Sequence, residues 1–340
     1  MTKKDRVHVA VIGAGRIGKI HVENLLKIPT VDVKYIVDIR VEEVEKWSKD
    51  VKVEKIISDA ETAIKDPVVD AVVICSPTDT HADLIIKAAR AGKDIFCEKP
   101  IDRDLKKIKE ALKEVEDSGV KLQIGFNRRF DHNFWKIKKL IEEKKIGDVH
   151  IVNITSRDPE PPSLEYVKSS GGIFADMTIH DFDMARYLTE SEVKEVYAVG
   201  SVLIDPKIGE VGDYDTAVSV LKFENGAICT IDNSRKSVYG YDQRVEVFGT
   251  KGSAQAYNDR PTNVVLSTTD GVCMDKPLYF FLERYKESFM TEMREFVDCV
   301  REDKSPLVTG NDGLQAMAIA MAANKSALEK RPVKIEEVTT

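Results

Sequence analysis

Three groups of residues in this chain have types and spacings suited to chemistry. The first is Gly13-Ala-Gly15-Arg16-Ile17-Gly18, a G-x-G-x-x-G pattern that directly follows an apolar run and opens a helix-length segment. Glycines at the first two positions permit a tight turn and let the backbone approach a pyrophosphate, and Gly18 lets the helix pack close to the strand. The helix N-terminus adds amide donors for an anion. Asp38, 20 residues beyond Gly18, ends the next apolar run, where a carboxylate can accept bonds from the ribose hydroxyls of adenosine. The glycine pattern alone is weak, because an ordinary turn also uses glycine. Strand, loop, helix, strand and acid in this order predict a dinucleotide site. Asp38 would repel a 2′-phosphate, which favours NAD over NADP. Arg40 complicates that choice, since it could stack on adenine or reach such a phosphate.

The second group is Cys97-Glu98-Lys99-Pro100, at the end of a predicted strand, the edge where open α/β sheets bind ligands. A nicotinamide enzyme that oxidises an alcohol needs a base for the hydroxyl proton as hydride leaves carbon. Lys99 is a candidate, against the bland reading of a solvated loop lysine. The third group lies in Gly171-Gly-Ile-Phe-Ala-Asp176-Met-Thr-Ile-His180-Asp-Phe-Asp183. Asp176 and His180 are four apart and share one face of a helix. A histidine takes a proton near neutral pH, and a carboxylate beside it can orient it and stabilise its charged form. A hydrogen-bonded core pair or two metal ligands would show the same spacing. Metal is disfavoured, because only six histidines are spread over the chain. Ser76-Pro77-Thr78-Asp-Thr-His81 follows another predicted strand and could line the nicotinamide ribose, although a histidine starting a helix is often only a capping contact. Asn127, Arg129, Asp158, Tyr239 and Tyr241 are polar groups in predicted loops or strand ends that could bind hydroxyls.

These groups need elements to hold them. With 340 residues and about 150 per domain, the chain should form about two domains. Its 51 Lys and Arg against 58 Asp and Glu give a net charge of -7, which offers nucleic acid or an anionic membrane no global attraction. The five scattered cysteines form no C-x-x-C pair, so neither a zinc knuckle nor a disulfide framework is expected. Lys3, Lys4 and Arg6 before Val7 superficially imitate a secretory signal, but the apolar stretch is short and runs into the glycine motif. A cytoplasmic protein is the expectation.

Up to residue 126 short apolar runs alternate with helix-length segments, the rhythm of a parallel α/β sheet. Strands are expected at 7–12, 31–38, 55–57, 70–75, 93–97 and 121–125, with helices at 16–28 and 41–50, after Thr78 and around Leu105, Ile108, Leu112 and Val115. Beyond Gly125 the strands follow one another closely: 149–155, 193–202, 216–223, 227–233, 243–248 and 264–267. That pattern predicts an α+β domain over 127–340 with a mostly antiparallel sheet. Two helices end the chain, one around Phe289, Met293, Phe296, Val297 and Val300, the other over 312–330 and expected to pack back on the first domain.

Taken together, the glycine loop, Glu98-Lys99-Pro100 and Asp176-x-x-x-His180 resemble the Gfo/Idh/MocA oxidoreductase family along essentially the whole chain. The stretches Gly125-Phe-Asn-Arg-Arg-Phe-Asp131, Ser156-Arg-Asp-Pro-Glu-Pro-Pro162, Gly171 to Arg186 and Val238 to Gly249 resemble members that act on inositols. The resemblance implies a doubly wound Rossmann domain and an α+β domain whose large open sheet builds a homotetramer. It also implies NAD-dependent oxidation of the axial hydroxyl of myo-inositol to an inosose. By motif, His180 would accept the hydroxyl proton, Asp176 would orient it and Lys99 would polarise the alcohol oxygen. Glu98 and Lys99 would also border the cofactor. Arg129, Asp158, Tyr239 and Tyr241 match positions near the polyol, with Asn127 and Tyr285 beside them. Scyllo-inositol or an aldose such as glucose are alternative substrates. A glycosidase that oxidises its substrate transiently and a redox-sensing NAD-binding regulator are further readings. The acidic charge and the lack of an evident helix-turn-helix count against the regulator.

Overall fold

The computed structural model describes residues 5–339. Six parallel strands form the first sheet: β1 Val7–Ile12, β2 Val31–Val37, β3 Lys55–Ile57, β4 Ala71–Ile74, β5 Asp94–Cys97 and β6 Leu122–Ile124. Their order is β3-β2-β1-β4-β5-β6. β1 and β4 are side by side although β2 and β3 lie between them in sequence, so the sheet is wound in both directions from that point. Ligands bind such sheets outside the carboxyl ends of the strands, where the winding reverses. The continuous burial of β4 explains its uninterrupted Ala-Val-Val-Ile, because helices cover both faces of a parallel sheet. The Leu105–Ser118 helix starts with the Asp104 side chain accepting from the Lys106 amide and ends at Gly119 with φ of +66°. Leu105 and Ile108 of its expected apolar face are buried; Leu112 and Val115 are only partly so.

The chain divides into one compact unit of residues 1–130 and 287–315 and another of 131–286 and 316–340. The sequence reading differs: it cuts once after 126 and packs the helix from about 312 back on the first domain, whereas 287–315 rejoin the first unit and 316–340 belong to the second. The physical reason lies in the Lys286–Glu302 helix, whose Met290, Met293, Phe296, Val297 and Val300 join Val9, Val11, Val73 and Phe96 in one core. Periodicity shows that this helix has an apolar face, but not which sheet the face covers.

The second unit is built on seven strands in the order β12-β11-β7-β10-β9-β8-β15. They are β7 Val149–Arg157, β8 Val193–Ser201, β9 Thr216–Phe223, β10 Ile228–Ser234, β11 Asp242–Gly249, β12 Gly252–Ala256 and β15 Val333–Lys334. Only β7 and β10 pair in parallel; the rest pair antiparallel. Alternation is strict in β9, where Ala217, Ser219, Leu221 and Phe223 are buried while Val218, Val220 and Lys222 are exposed. The expected strand near 264–267 stands outside this sheet, as a hairpin of β13 Val265–Thr268 and β14 Gly271–Met274. Among the described residues no helix is long and apolar enough to cross a membrane. Burial pushes the thiols of Cys75, Cys97 and Cys229 well up, so they behave as small hydrophobes.

Candidate active site

The glycine loop leaves β1 and enters the Arg16–Leu25 helix. Gly13 has φ of +92°, and a Cβ there would collide with the backbone of Cys75 and Ser76; one on Gly18 would collide with the Gly13 carbonyl. These two glycines serve the fold. Gly15 differs: its backbone is ordinary, with φ of -67°, and a Cβ would meet nothing within 4 Å. It is the N-cap of the helix and supplies no side-chain cap to the amides of the first turn. That cradle fits a pyrophosphate.

Asp38 is tied into the same loop. Its Oδ2 accepts from the Ala14 amide at 2.8 Å and its Oδ1 from the Arg40 amide at 2.9 Å. A carboxylate has about four lone-pair sites, so room is left for ribose hydroxyls. A groove of about 260 Å³ runs beside it, with Val44 and Trp47 as apolar wall and Lys19 packed 5.2 Å from the Trp47 ring. Arg40 lies 3.2 Å from Glu43 and 3.7 Å from Asp38, so acidic groups flank this cation, which disfavours its use for a 2′-phosphate. Sequence reasoning missed Lys19, Glu43, Val44 and Trp47, because the helix that carries three of them was read only as a connector.

Lys99 follows β5, is half-buried and is joined to Pro100 by a cis peptide bond. Glu98 turns its carboxylate inward to His21, with Oε1 and Nε2 2.7 Å apart. The Thr78–Thr80 turn places Ser76 Oγ 2.6 Å from Thr80 Oγ1. His81 is buried, with Nδ1 2.8 Å from the Pro100 carbonyl and Nε2 2.7 Å from that of Ser76. Its ring therefore braces two loops. Asn127 and Arg129 are buried in the Asn127–Phe130 turn, and Arg129 donates to Asp312 at 2.8 Å, a tether inside the first unit.

In the second unit Asp176 lies in a π-helical turn, Phe174–Thr178, that runs straight into the Ile179–Thr189 helix bearing His180. The i→i+5 bonds of such a turn re-aim side chains and occur often at functional sites. A regular helix is what the four-residue spacing predicts; in the wider turn the two residues still lie about one turn apart. Asp176 accepts from the Tyr166 hydroxyl at 2.8 Å and pairs with Arg235 at 3.5 Å. Arg235, 1% exposed, also reaches Asp213 at 3.4 Å. Asp213 accepts from the Ile173 amide at 2.9 Å and lies against Gly172, whose φ of +84° and missing Cβ leave it room. Desolvation first, then the charges of Asp176 and Asp158, push the Tyr166 hydroxyl well above its usual pKa, so it stays a donor. Tyr166, Asp213 and Arg235 carried no sequence signal, being far from one another in the chain and unremarkable in type.

The remaining candidates separate. Asp158 is held by its backbone between Ser234 and Ser237 and shares the neighbourhood of Tyr166. Tyr241 and Tyr285 are both buried, their rings edge to face at 5.9 Å. The Tyr239 hydroxyl joins Asp242 and Arg157, and Arg157 bonds Asp232 at 2.6 Å. Arg157 and Asp232 alternate onto the open face of the sheet, so Tyr239 belongs to that face.

Comparison with known proteins converges on one family. Residues 7–126 match the oxidoreductase family with an NAD-binding Rossmann fold, and residues 134–255 match the Gfo/Idh/MocA C-terminal domain. The chain is 50% identical to a myo-inositol 2-dehydrogenase of Thermotoga maritima, over 98% of this chain and 99% of that one. A crystal structure of a probable dehydrogenase from Thermotoga maritima superposes with a TM-score of 0.96 at 50% identity, covering 98% of this chain and 100% of that one. A scyllo-inositol dehydrogenase from Lactobacillus casei, solved with NAD(H) and scyllo-inositol, gives a TM-score of 0.91 at 29% identity, covering 97% and 99%. With the pyrophosphate cradle and the ribose acid in place, the chain belongs to the Gfo/Idh/MocA oxidoreductase family and is an NAD-dependent dehydrogenase.

Proposed function

We propose that this protein oxidises the axial hydroxyl of myo-inositol to 2-keto-myo-inositol, also called scyllo-inosose, using NAD. The observation that carries the reading is the 50% identity along 98% of the chain to a myo-inositol 2-dehydrogenase. The loop of residues 13–18 and Asp38 would hold NAD, which would supply the acceptor for the hydride leaving the carbinol carbon. The remaining chemistry falls to the protein. The His180 imidazole accepts the hydroxyl proton, and the Asp176 carboxylate orients it and stabilises its charged form. Lys99 donates a hydrogen bond from Nζ to the alcohol oxygen, which lowers the barrier as negative charge develops there. Tyr166 and Arg235 fix Asp176, so the base is held by a frame whose cation is buried. Asp158, near Tyr166, would bind a neighbouring hydroxyl.

A panel of inositols and aldoses with NAD and NADP, followed by absorbance of the reduced nicotinamide, tests this. Turnover of myo-inositol with NAD is the expected result, and Lys99→Ala should abolish it while NAD still binds. No turnover with any inositol or aldose would overturn the reading. Scyllo-inositol is the second candidate, because the Lactobacillus casei relative was solved with it; kcat/KM across the isomers decides.

The same reading includes a homotetramer. Ile151, Tyr197, Val199, Val218, Val220 and Phe248 are exposed on the open face of the second sheet, an apolar surface that a second copy would cover. Light scattering should give a mass four times that of one chain, and a monomer in solution would refute this part.

A further inference from the structure

We propose that His21 and His81 are positioning residues for Lys99, each anchoring the residue on one side of it. His21 acts through the Glu98 carboxylate and His81 through the Pro100 carbonyl. The inference rests on the reading of Lys99 as a catalytic group. A lysine stem has four rotatable bonds, so the ammonium is aimed only as well as the backbone that carries it. The Glu98 amide bonds the Ile74 carbonyl at 2.9 Å, Pro100 has no amide hydrogen, and side chains must complete the hold.

The hold is built on both sides. Glu98 meets His21 Nε2 at 2.7 Å, and a Cβ on Gly125 would lie 3.0 Å from its Cδ and Oε2, so that residue must be small. His21 is wholly buried and held edge-on by Phe96 at 5.1 Å and Phe289 at 5.8 Å. Glu292, also wholly buried, comes close to His21 and Glu98. Burial and then the Glu98 charge hold the Glu292 carboxyl well above the usual range. On the other side His81 contacts two carbonyls, at 2.8 and 2.7 Å, that belong to the turns after β5 and β4. Carbonyls only accept, so both contacts form together when both ring nitrogens carry hydrogen. Neither imidazole is available for substrate, and losing either would leave buried acceptors without a donor.

The test uses the full-length protein with His21→Phe, His21→Gln, His81→Phe, His81→Gln and Lys99→Ala. Phenylalanine keeps the ring volume and removes the donors; glutamine restores one donor. Each Phe variant should lower kcat about 100-fold, the scale of a misplaced catalytic group, while KM for the polyol and Kd for NAD stay near wild type. Each Gln variant should recover about tenfold of that loss. Hydrogen exchange of the 94–101 segment should be faster in every histidine variant, which covers a Phe variant too unstable to assay. Wild-type kcat in the Phe variants, or unchanged exchange in the Gln variants, would overturn the proposal. So would a loss of kcat that only follows a loss of NAD affinity. If Lys99→Ala still turns over, the reading of Lys99 itself fails; if it is dead while the histidine variants match wild type, only the positioning role falls.

Discussion

The glycine loop and the Asp176 cluster are both polar sites, yet they are built in opposite ways. In the loop, residues 13–18 and Asp38 make the site from backbone amides, and Gly15 leaves a space that a ligand would fill. Around Asp176, polar and charged side chains from distant segments hold one another: Tyr166, Arg235 and Asp213, the last fixed in turn by the Ile173 amide. A site made of amides needs no charge and survives most substitutions except those that fill it. A site made of buried ion pairs is vulnerable at every member, because removing one partner strands the other.

The sharpest way to break this contrast is Gly15→Val. NAD binding should vanish, read by calorimetry, while the melting temperature stays at the wild-type value, since the new side chain enters open space. A large fall in melting temperature would mean that Gly15 serves the fold, as Gly13 and Gly18 do. Next comes His180→Ala, which should lower kcat by about a thousandfold, the scale of a lost general base, and leave NAD affinity intact. Loss of cofactor binding in that variant would erase the distinction between the two regions. Arg235→Met should destabilise the protein by about 3 kcal/mol in a denaturant titration, because Asp176 and Asp213 lose their shared cation. An unchanged midpoint would show that neither carboxylate depends on it.

The smallest effect is expected at the surface, at Glu337. Arg331 first, then the Lys334 amide, pull its pKa from 4.5 to about 2. A lowered folded-state value adds stability above the unfolded value, and that addition is lost as pH falls through about 2. Glu337→Gln should therefore melt slightly below wild type at neutral pH, with the gap closing in acid. The pair is exposed and screened, so the difference should be slight. A gap that widened in acid would reverse the sign of this argument.

Much of the first unit could be read in advance because its information is local. β1, β3 and the glycine loop fall where alternation and motif place them, and most other boundaries in the unit move by one to three residues. Thr216–Phe223 matches as well, its pattern of buried and exposed positions being strict. The Arg16 helix ends at Leu25 instead of Ile28, since fraying leaves no mark on periodicity. The site in the second unit was half legible. Asp176 and His180 stand out by type and spacing, but the π-helical turn and the Tyr166–Arg235–Asp213 frame depend on contacts spanning up to 59 residues. His81 and Arg129 show what residue type leaves out: their types suggest ligand binding, and each is also engaged with a partner inside the protein, His81 with two carbonyls and Arg129 with Asp312.

The sequence by itself determined the parallel pairing of the first sheet and the dinucleotide loop with its acid, and it nominated residues for proton transfer. These follow from spacing along the chain, which sets local geometry directly. Tertiary structure alone decided that the Lys286–Glu302 helix completes the first core, that Arg235 is the cation serving Asp176 and Asp213, and that two buried histidines bracket Lys99. An apolar face or a charged side chain announces that it needs a partner. Which partner it finds is set by packing between segments far apart in the chain.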